Sequence, residues 1–460
     1  MQIVVIGAGF CGTMIACELA RLSTPHELAI ALVDDRAQFA RGVAYQCNEE
    51  GWQLNAHAAQ LGAVNGRPDD FSRFCRSMGI DTADCYVPRA LYGAYLEDLL
   101  DRTASSTLPH RLYRVYDRAV AIERAAGGAV VRLENGKAIQ ADHVILATGP
   151  ASPGKQAMPQ LQALGDRYLP NPWHVQQLYD ASPGSAFGIL GTGLTALDVV
   201  TSLQRRVPHA KFRLLSRRGL MPRPHAAGPK RPPSPELIQT LQAQVHGDVR
   251  QCLAAMRRVA AWHQDCGGDW RAVIDALRPL VPKIWAGWPH QDKIRFVTHV
   301  APYWETHRHR CPTNTAEMIE RLQGEGRLHA EAGRLRKVHV GSAELQLEVQ
   351  FRHSEHSTRL PVHYLVNCTG PTGGESENSL IAKLRQNGLA STDAFGLRID
   401  DAYHLIGHDG TAFEALSYVG PLLKGKYWEA TAIPELREHV VKLTASLAQR
   451  LFEQASVQFA

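Results

Sequence analysis

The chain has 460 residues, a formal charge of +5 with histidines neutral, and 45% hydrophobic residues. That length allows two or three domains around a large buried core, and so mild a charge is not the footprint of a nucleic-acid or membrane-surface binder. Nine cysteines without a C-x-x-C pair argue against a disulfide framework and a structural zinc site, so no metal is expected and the expected compartment is the cytoplasm.

The apolar run Gln2-Ile3-Val4-Val5-Ile6 reads as a buried parallel strand. With that strand at the very start no signal peptide is expected, and no apolar run in the chain approaches membrane-spanning length. Gly7, Gly9 and Gly12 follow at G-x-G-x-x-G spacing, and Thr13 to Leu22 has helical periodicity. In such a turn the first glycine permits the tight bend. The second lets a pyrophosphate approach the backbone, and the third lets the helix pack against the strand. A second strand, Leu28 to Val33, ends in Asp34, where a carboxylate can accept from ribose hydroxyls.

The loop Arg41-Gly42-Val43-Ala44-Tyr45 and the stretch Leu54-Asn55-Ala56-His57 fall where a doubly wound sheet binds ligands, at its carboxyl edge. Arg41 is a candidate cofactor contact and Asn55 a candidate catalytic residue. Pro88 suits a helix start before Ala90 to Leu100, and Arg89 beside it reads as either an anion contact or a surface charge. Leu112 to Ala141 alternates as strands, with Asn135-Gly136 as a hairpin turn, and returns into a buried strand ending in Thr148-Gly149-Pro150. Thr148 and Gly149 are further candidate cofactor contacts.

The pattern then begins again. Ala186 to Leu190 is a strand, and Gly191-Thr192-Gly193-Leu194-Thr195-Ala196 is a second glycine fingerprint followed by a helix. The strand Phe212 to Leu215 ends in Ser216-Arg217-Arg218, and alternating strands over 328–351 lead to a second ending in Thr-Gly-Pro at Thr369-Gly370-Pro371. Two copies of one order mean two dinucleotide-binding units. Asp34 would repel a 2′-phosphate and suits a free ribose, whereas Arg217 and Arg218 can pair with one. The first unit therefore reads as an FAD site (Gly7, Gly9, Gly12, Asp34) and the second as an NADPH site (Gly191, Gly193, Ser216, Arg217, Arg218), with NADH as the other possibility if the arginines are only a solvated strand end. The fold class is α/β with two Rossmann-like domains. The FAD domain is expected over 1–170 plus 371–460 and the NAD(P) domain over 171–370, the crossing lying in Pro170-Asn171-Pro172-Trp173-His174.

An insertion at about 230–325 interrupts the second unit. Met221 to Pro233 reads as an exposed, proline-rich basic loop and Pro235 to Gln323 as mainly helical, forming a lid, a substrate pocket or plain core. In His307-Arg308-His309-Arg310 the histidines alternate with cations that would repel a metal, so the run reads as an anion or substrate contact or a structural segment. His307, His309 and, in the later Gly407-His408-Asp409-Gly410, His408 are candidate catalytic residues. The loop Gly420 to Gly425, with Gly425 a candidate cofactor contact, precedes a final helix over Glu429 to Arg437 whose positive N-terminus would suit the electron-rich edge of a reduced flavin.

Arg41 to Tyr45, Leu54-Asn55, Val87-Pro88-Arg89 through Gly93, Gly191 to Thr195, Ser216 to Gly219, His307 to Arg310, Asn367 to Pro371 and Glu429 to Arg437 together resemble the YdhS-like FAD-NAD(P)-binding proteins of bacteria. More distantly, the layout is similar to class B flavoprotein monooxygenases and N-hydroxylating monooxygenases. The resemblance implies FAD in the first unit and NADPH in the second, and supplies no substrate. The expected function is an FAD-dependent oxidoreductase reduced by NADPH, in its sharper form a monooxygenase acting on a small molecule, with neither nucleic acid nor membrane as partner. Two alternatives stand beside it: an FAD oxidase or dehydrogenase reduced directly by its substrate, and a non-catalytic flavin-binding redox partner.

Overall fold

A computed structural model describes residues 1–47, 49, 51–82, 86–106, 109–149, 159–228, 232–370 and 379–458. The chain forms two compact units, one of residues 1–48, 56–151 and 373–460, the other of 49–55 and 152–372. The expected crossing at 170 is corrected: strand Tyr168–Leu169 pairs in parallel with Tyr364–Asn367 and so belongs to the second unit. The short segment holding Asn55 also belongs there, because Trp52 is fully buried with its indole N–H on Ser202 (2.8 Å).

The first unit is built on a six-stranded sheet. Strand Gln2–Ile6 lies between Ala29–Asp34 and His143–Leu146, both parallel to it. Its apolar, β-branched run fits a strand covered on both faces, and Ile3, Val4 and Val5 are fully buried. Arg111–Tyr116 extends the sheet in parallel beyond Ala29–Asp34. The alternating stretch therefore opens with a strand of the main sheet, and only Ala119–Ala125, Gly128–Leu133 and Ala138–Ala141 form the separate antiparallel sheet, turning at Asn135-Gly136. On the other side Ala412–Tyr418 runs parallel to His143–Leu146, and His404–Ile406 closes the edge antiparallel. Helix Phe10–Arg21 packs on this sheet through Met14, Ile15 and Leu19, each at most 1% exposed and each contributing about 2 kcal/mol by burial.

The second unit repeats the plan. Ala186–Leu190 lies between Lys211–Ser216 and Tyr364–Asn367, all parallel, with Leu328–Val340 parallel on the outside of Lys211–Ser216. Leu345–Phe351 and Ser357–Val362 continue antiparallel from there. Between Lys211–Ser216 and Leu328–Val340 comes the helical insertion, running from Pro235–Gln244 to Thr313–Gly324. The loop before it is not free as expected. Arg223 N–H donates to the Thr306 carbonyl (2.9 Å), and Cys311 N–H to the Arg223 carbonyl (3.0 Å), which pins the loop to the helix end. Lys230 and Arg231 of that loop, and Pro150 and Pro371 of the repeated Thr-Gly-Pro, lie outside the described residues. Among the described residues no helix is long and apolar enough to cross a membrane.

The closing helix Ile433–Gln458 carries His439, buried with Nδ1 2.8 Å from the Tyr403 hydroxyl. Burial, helped by Lys442, pulls its pKa down to about 4 from 6.5. The unfolded chain protonates this histidine near 6.5 and the folded chain only near 4, so its contribution is complete above 6.5 and is lost as pH falls through that window. Unfolding free energy should drop by up to about 3 kcal/mol for this group between those limits. Urea titrations across this pH range check it, and His439→Gln should flatten the slope.

Candidate functional site

In the first unit the loops at the carboxyl ends of three adjacent strands meet. Gly7 leaves Ile6 with φ +100, and a Cβ there would lie 2.8 Å from the Ala147 carbonyl oxygen at the end of the neighbouring strand. Gly12 is packed harder still: a Cβ would fall 1.7 Å from the Gly7 oxygen. Gly9 has room, its nearest neighbour being Gly42 Cα at 3.6 Å from such a Cβ. Thr13 N–H closes the first bond of the helix back to Gly9 (2.9 Å), so the N–H groups of Phe10, Cys11 and Gly12 precede the ladder and face out along the axis.

Two side-chain devices hold this turn. Gly42 has φ +56 and crowds Gly9, and Arg41 anchors that loop by a forked ion pair with Glu97, both bonds 2.7 Å. Arg41 is thus paired with a carboxylate, a structural role beyond its reading as a cofactor contact. On the other side the buried Tyr418 hydroxyl donates to the Thr148 carbonyl (3.0 Å) and accepts from Leu422 N–H (3.1 Å). That bridge draws the Gly420 turn against the Thr148 strand end, and a Cβ on Gly420 would strike the Tyr418 oxygen at 2.6 Å. The Thr148 hydroxyl is buried with no hydrogen-bond partner among the described residues, and Gly149 beside it is exposed.

Asp34 comes to the turn as expected, but its carboxylate is occupied. Ala8 N–H donates to Oδ2 (2.7 Å), and Arg36 donates from its backbone (3.0 Å) and twice from its guanidinium (2.8 Å each). Burial pushes this carboxyl up, but the Arg36 hydrogen bond and charge and the Ala8 N–H outweigh it and hold it below the usual range. A carboxylate has about four acceptor positions, so a ribose hydroxyl would have to replace a bond to Arg36. Arg89 opens helix Arg89–Ser105, and its charge is felt by the Tyr45 hydroxyl. At Gly425 a Cβ would meet the Phe395 carbonyl at 2.8 Å, so this position has a packing reason to be glycine. His408 lies in the turn before Ala412–Tyr418, at the amino edge of the sheet and opposite the glycine turn, which removes it as a candidate catalytic residue.

In the second unit Gly191 has φ +111, and its Cβ would fall 2.3 Å from the Cys368 carbonyl oxygen, the same relation that Gly7 has to Ala147. Around Gly193 a Cβ would meet nothing within 4 Å, and Ala196 is fully buried where Gly12 packs in the first unit. The Ser216 hydroxyl accepts from Gly219 N–H (2.9 Å) and bonds the Thr192 hydroxyl (3.0 Å), so the turn bearing Arg217 and Arg218 is tied to the glycine turn. Arg217 is exposed; Arg218 Nη2 donates to the Thr298 carbonyl (2.6 Å).

The remaining candidates of the second unit are each bonded to another residue. The Asn55 carbonyl is bonded to His225 Nε2 (2.8 Å). His307 Nδ1 lies 2.8 Å from the Tyr303 carbonyl with its ring edge-on to Trp270, and His309 pairs with Glu305 at 2.9 Å. Arg310 is 4% exposed and ion-paired with Asp275, which fits the structural alternative for this run. Arg36, Gly42 and Tyr418 were not singled out from the sequence. Asp34-x-Arg36 was a readable signal for the first, but nothing local marks Tyr418.

A family model described as FAD-NAD(P)-binding matches residues 4–151. A comparison with curated proteins finds no match. Among solved structures, ornithine N-hydroxylase from Kutzneria sp. 744 is similar with a TM-score of 0.64 at 14% identity, covering 97% of this chain and 99% of that one. L-lysine 6-monooxygenase from Pseudomonas syringae gives 0.63 at 16% identity over 98% of both chains. Ornithine hydroxylase from Pseudomonas aeruginosa gives 0.61 at 13% identity, covering 98% and 99%. The chain therefore has the two-domain α/β dinucleotide-binding fold of these flavoprotein structures over nearly its whole length.

The glycines separate fold from ligand. Gly12→Ala should cost about 3 kcal/mol or more in urea unfolding, because no side chain can yield to relieve the clash. Gly9→Ala should unfold within about 1 kcal/mol of the parent, yet be isolated without bound flavin, as read by the visible absorbance of the purified protein.

Proposed function

We propose that the protein is an FAD-dependent oxidoreductase reduced by NADPH, in its finer form a monooxygenase of a small molecule carrying a nucleophilic nitrogen. The observation that carries the reading is the repeated glycine turn with chemically opposite flanks: a carboxylate at the end of Ala29–Asp34 and an arginine pair after Lys211–Ser216. The similar structures include an ornithine N-hydroxylase with reduced FAD, NADP+ and L-ornithine, and a lysine 6-monooxygenase, and they support the finer form. The YdhS-like family name and the cytoplasmic location belong to the same proposal.

The residues fit a dinucleotide at the pyrophosphate. The first-turn N–H groups after Gly9 would receive its oxygens, and the unpartnered Thr148 hydroxyl has hydrogen-bonding capacity to give beside it. At the ribose, Arg36 would yield a place on Asp34. Bound FAD would supply two-electron transfer from the nicotinamide and, in the finer reading, activation of dioxygen. The chain supplies position and charge: Tyr418 fixes the Gly420 turn against Thr148, Arg41 and Glu97 fix Gly42 against Gly9, and Arg217 with Arg218 would hold the 2′-phosphate.

Anaerobic mixing with NADPH should bleach the flavin band much faster than NADH does, and readmitted oxygen should be consumed in step with product only when an amine substrate is present. Reduction by neither nicotinamide would favour the substrate-reduced oxidase or dehydrogenase. Replacing Arg217 and Arg218 together by Ala should raise the Kd for NADPH roughly 10- to 100-fold and leave that for NADH nearly unchanged. Equal losses for both would refute the 2′-phosphate assignment.

A further inference from the structure

We propose that the helical insertion takes part in nucleotide discrimination, the main-chain carbonyl of Thr298 acting as a positioning group that holds the Arg218 guanidinium ready for a 2′-phosphate. This rests on the assignment of the Gly191 turn to NADPH. Arg218 follows a strand end already locked by Thr192, Ser216 and Gly219, so its backbone has little freedom. Its side chain is then tied from outside the dinucleotide fold by a solvent-exposed bond, Nη2 donating to Thr298 O at 2.6 Å.

Thr298 sits in a π-helical turn, Phe296–Val300, and in an α-helical register its donor would be residue 302, which is a proline and has no N–H. Such turns inside helices concentrate at functional positions. The turn is held rigid by aromatic packing: Phe296 lies 6.0 Å from Trp285 and 5.3 Å from Trp288 between ring centroids, and Trp285 is 1% exposed.

The kind of partner matters more than its presence. In the first unit Arg36 and Arg41 are bound to carboxylates and their charges are cancelled. Arg218 is bound to a neutral carbonyl, which orients the guanidinium plane and leaves its full charge, with Nε and Nη1 still able to donate to an anion. Rotamer freedom that an unrestrained arginine would lose on binding is removed in advance. A lysine could not meet both partners with one planar group.

Pro302→Ala supplies the N–H that an α-helical turn would give to the Thr298 carbonyl, in competition with Arg218. The parent, Pro302→Ala and Arg218→Ala proteins are titrated calorimetrically with adenosine 2′,5′-bisphosphate and with adenosine 5′-monophosphate, and hydrogen exchange over residues 296–303 is followed in the parent. Pro302→Ala should weaken the bisphosphate roughly three- to tenfold, the worth of one hydrogen bond, without changing the monophosphate, and the bisphosphate alone should slow exchange over 296–303. If Arg218→Ala abolishes the preference for the bisphosphate while Pro302→Ala binds like the parent and exchange is unmoved, the carbonyl tie is wrong and the NADPH assignment stands. If the parent shows no preference for the bisphosphate, both fall.

Discussion

The close approach of a glycine turn to a carbonyl on the neighbouring strand is the constraint on which the rest depends. Gly7 is pressed on Ala147, and Gly191 on Cys368, at separations that no side chain can share. In each unit that contact sets the spacing between the turn and the end of the adjacent parallel strand, and with it the place where a helix points its unpaired N–H groups. Gly12 and Ala196 then decide how near the helix lies, the first by contact with the turn itself and the second as a fully buried methyl. Because both contacts are made by backbone, they could be duplicated while the residues around them changed.

What changed is charge. In the first unit the basic residues near the turn are matched by acids: Arg36 with Asp34 and Arg41 with Glu97. These pairs are partly buried, and the first is supported by the N–H groups of Ala8 and Arg36, so they contribute more to fixing geometry than surface pairs do. In the second unit the strand end offers arginines with an exposed or a neutral environment, Arg217 to solvent and Arg218 on a main-chain oxygen. The same scaffold thus presents a neutralised turn in one copy and a cationic one in the other, which is the physical content of assigning them different nucleotides.

Much of this was legible in one dimension. Apolar runs, glycine spacing, the Asn135-Gly136 turn and the duplicated order are local signals, and the strands and helices they implied are found at nearly the expected limits. The candidate site was less legible, and the failures share a cause. Chemical type alone does not say that Arg41, Gly425 and Arg310 each have a neighbour distant in sequence: Glu97, the Phe395 carbonyl and Asp275. His408 was named for its neighbours in sequence, yet strand direction carries it to the far edge of the sheet. Tyr418, which ties two loops together, stands in a strand whose pattern marks it only as core.

The sequence alone determined that there are two dinucleotide-binding units, where each glycine turn lies, and which turn carries the acid and which the arginines, because those properties reside in residues a few positions apart. Tertiary structure decided which charges are free. Whether an arginine meets a carboxylate, a carbonyl or water depends on pairings across tens to hundreds of residues, and only the folded chain brings Glu97 to Arg41 and Thr298 to Arg218.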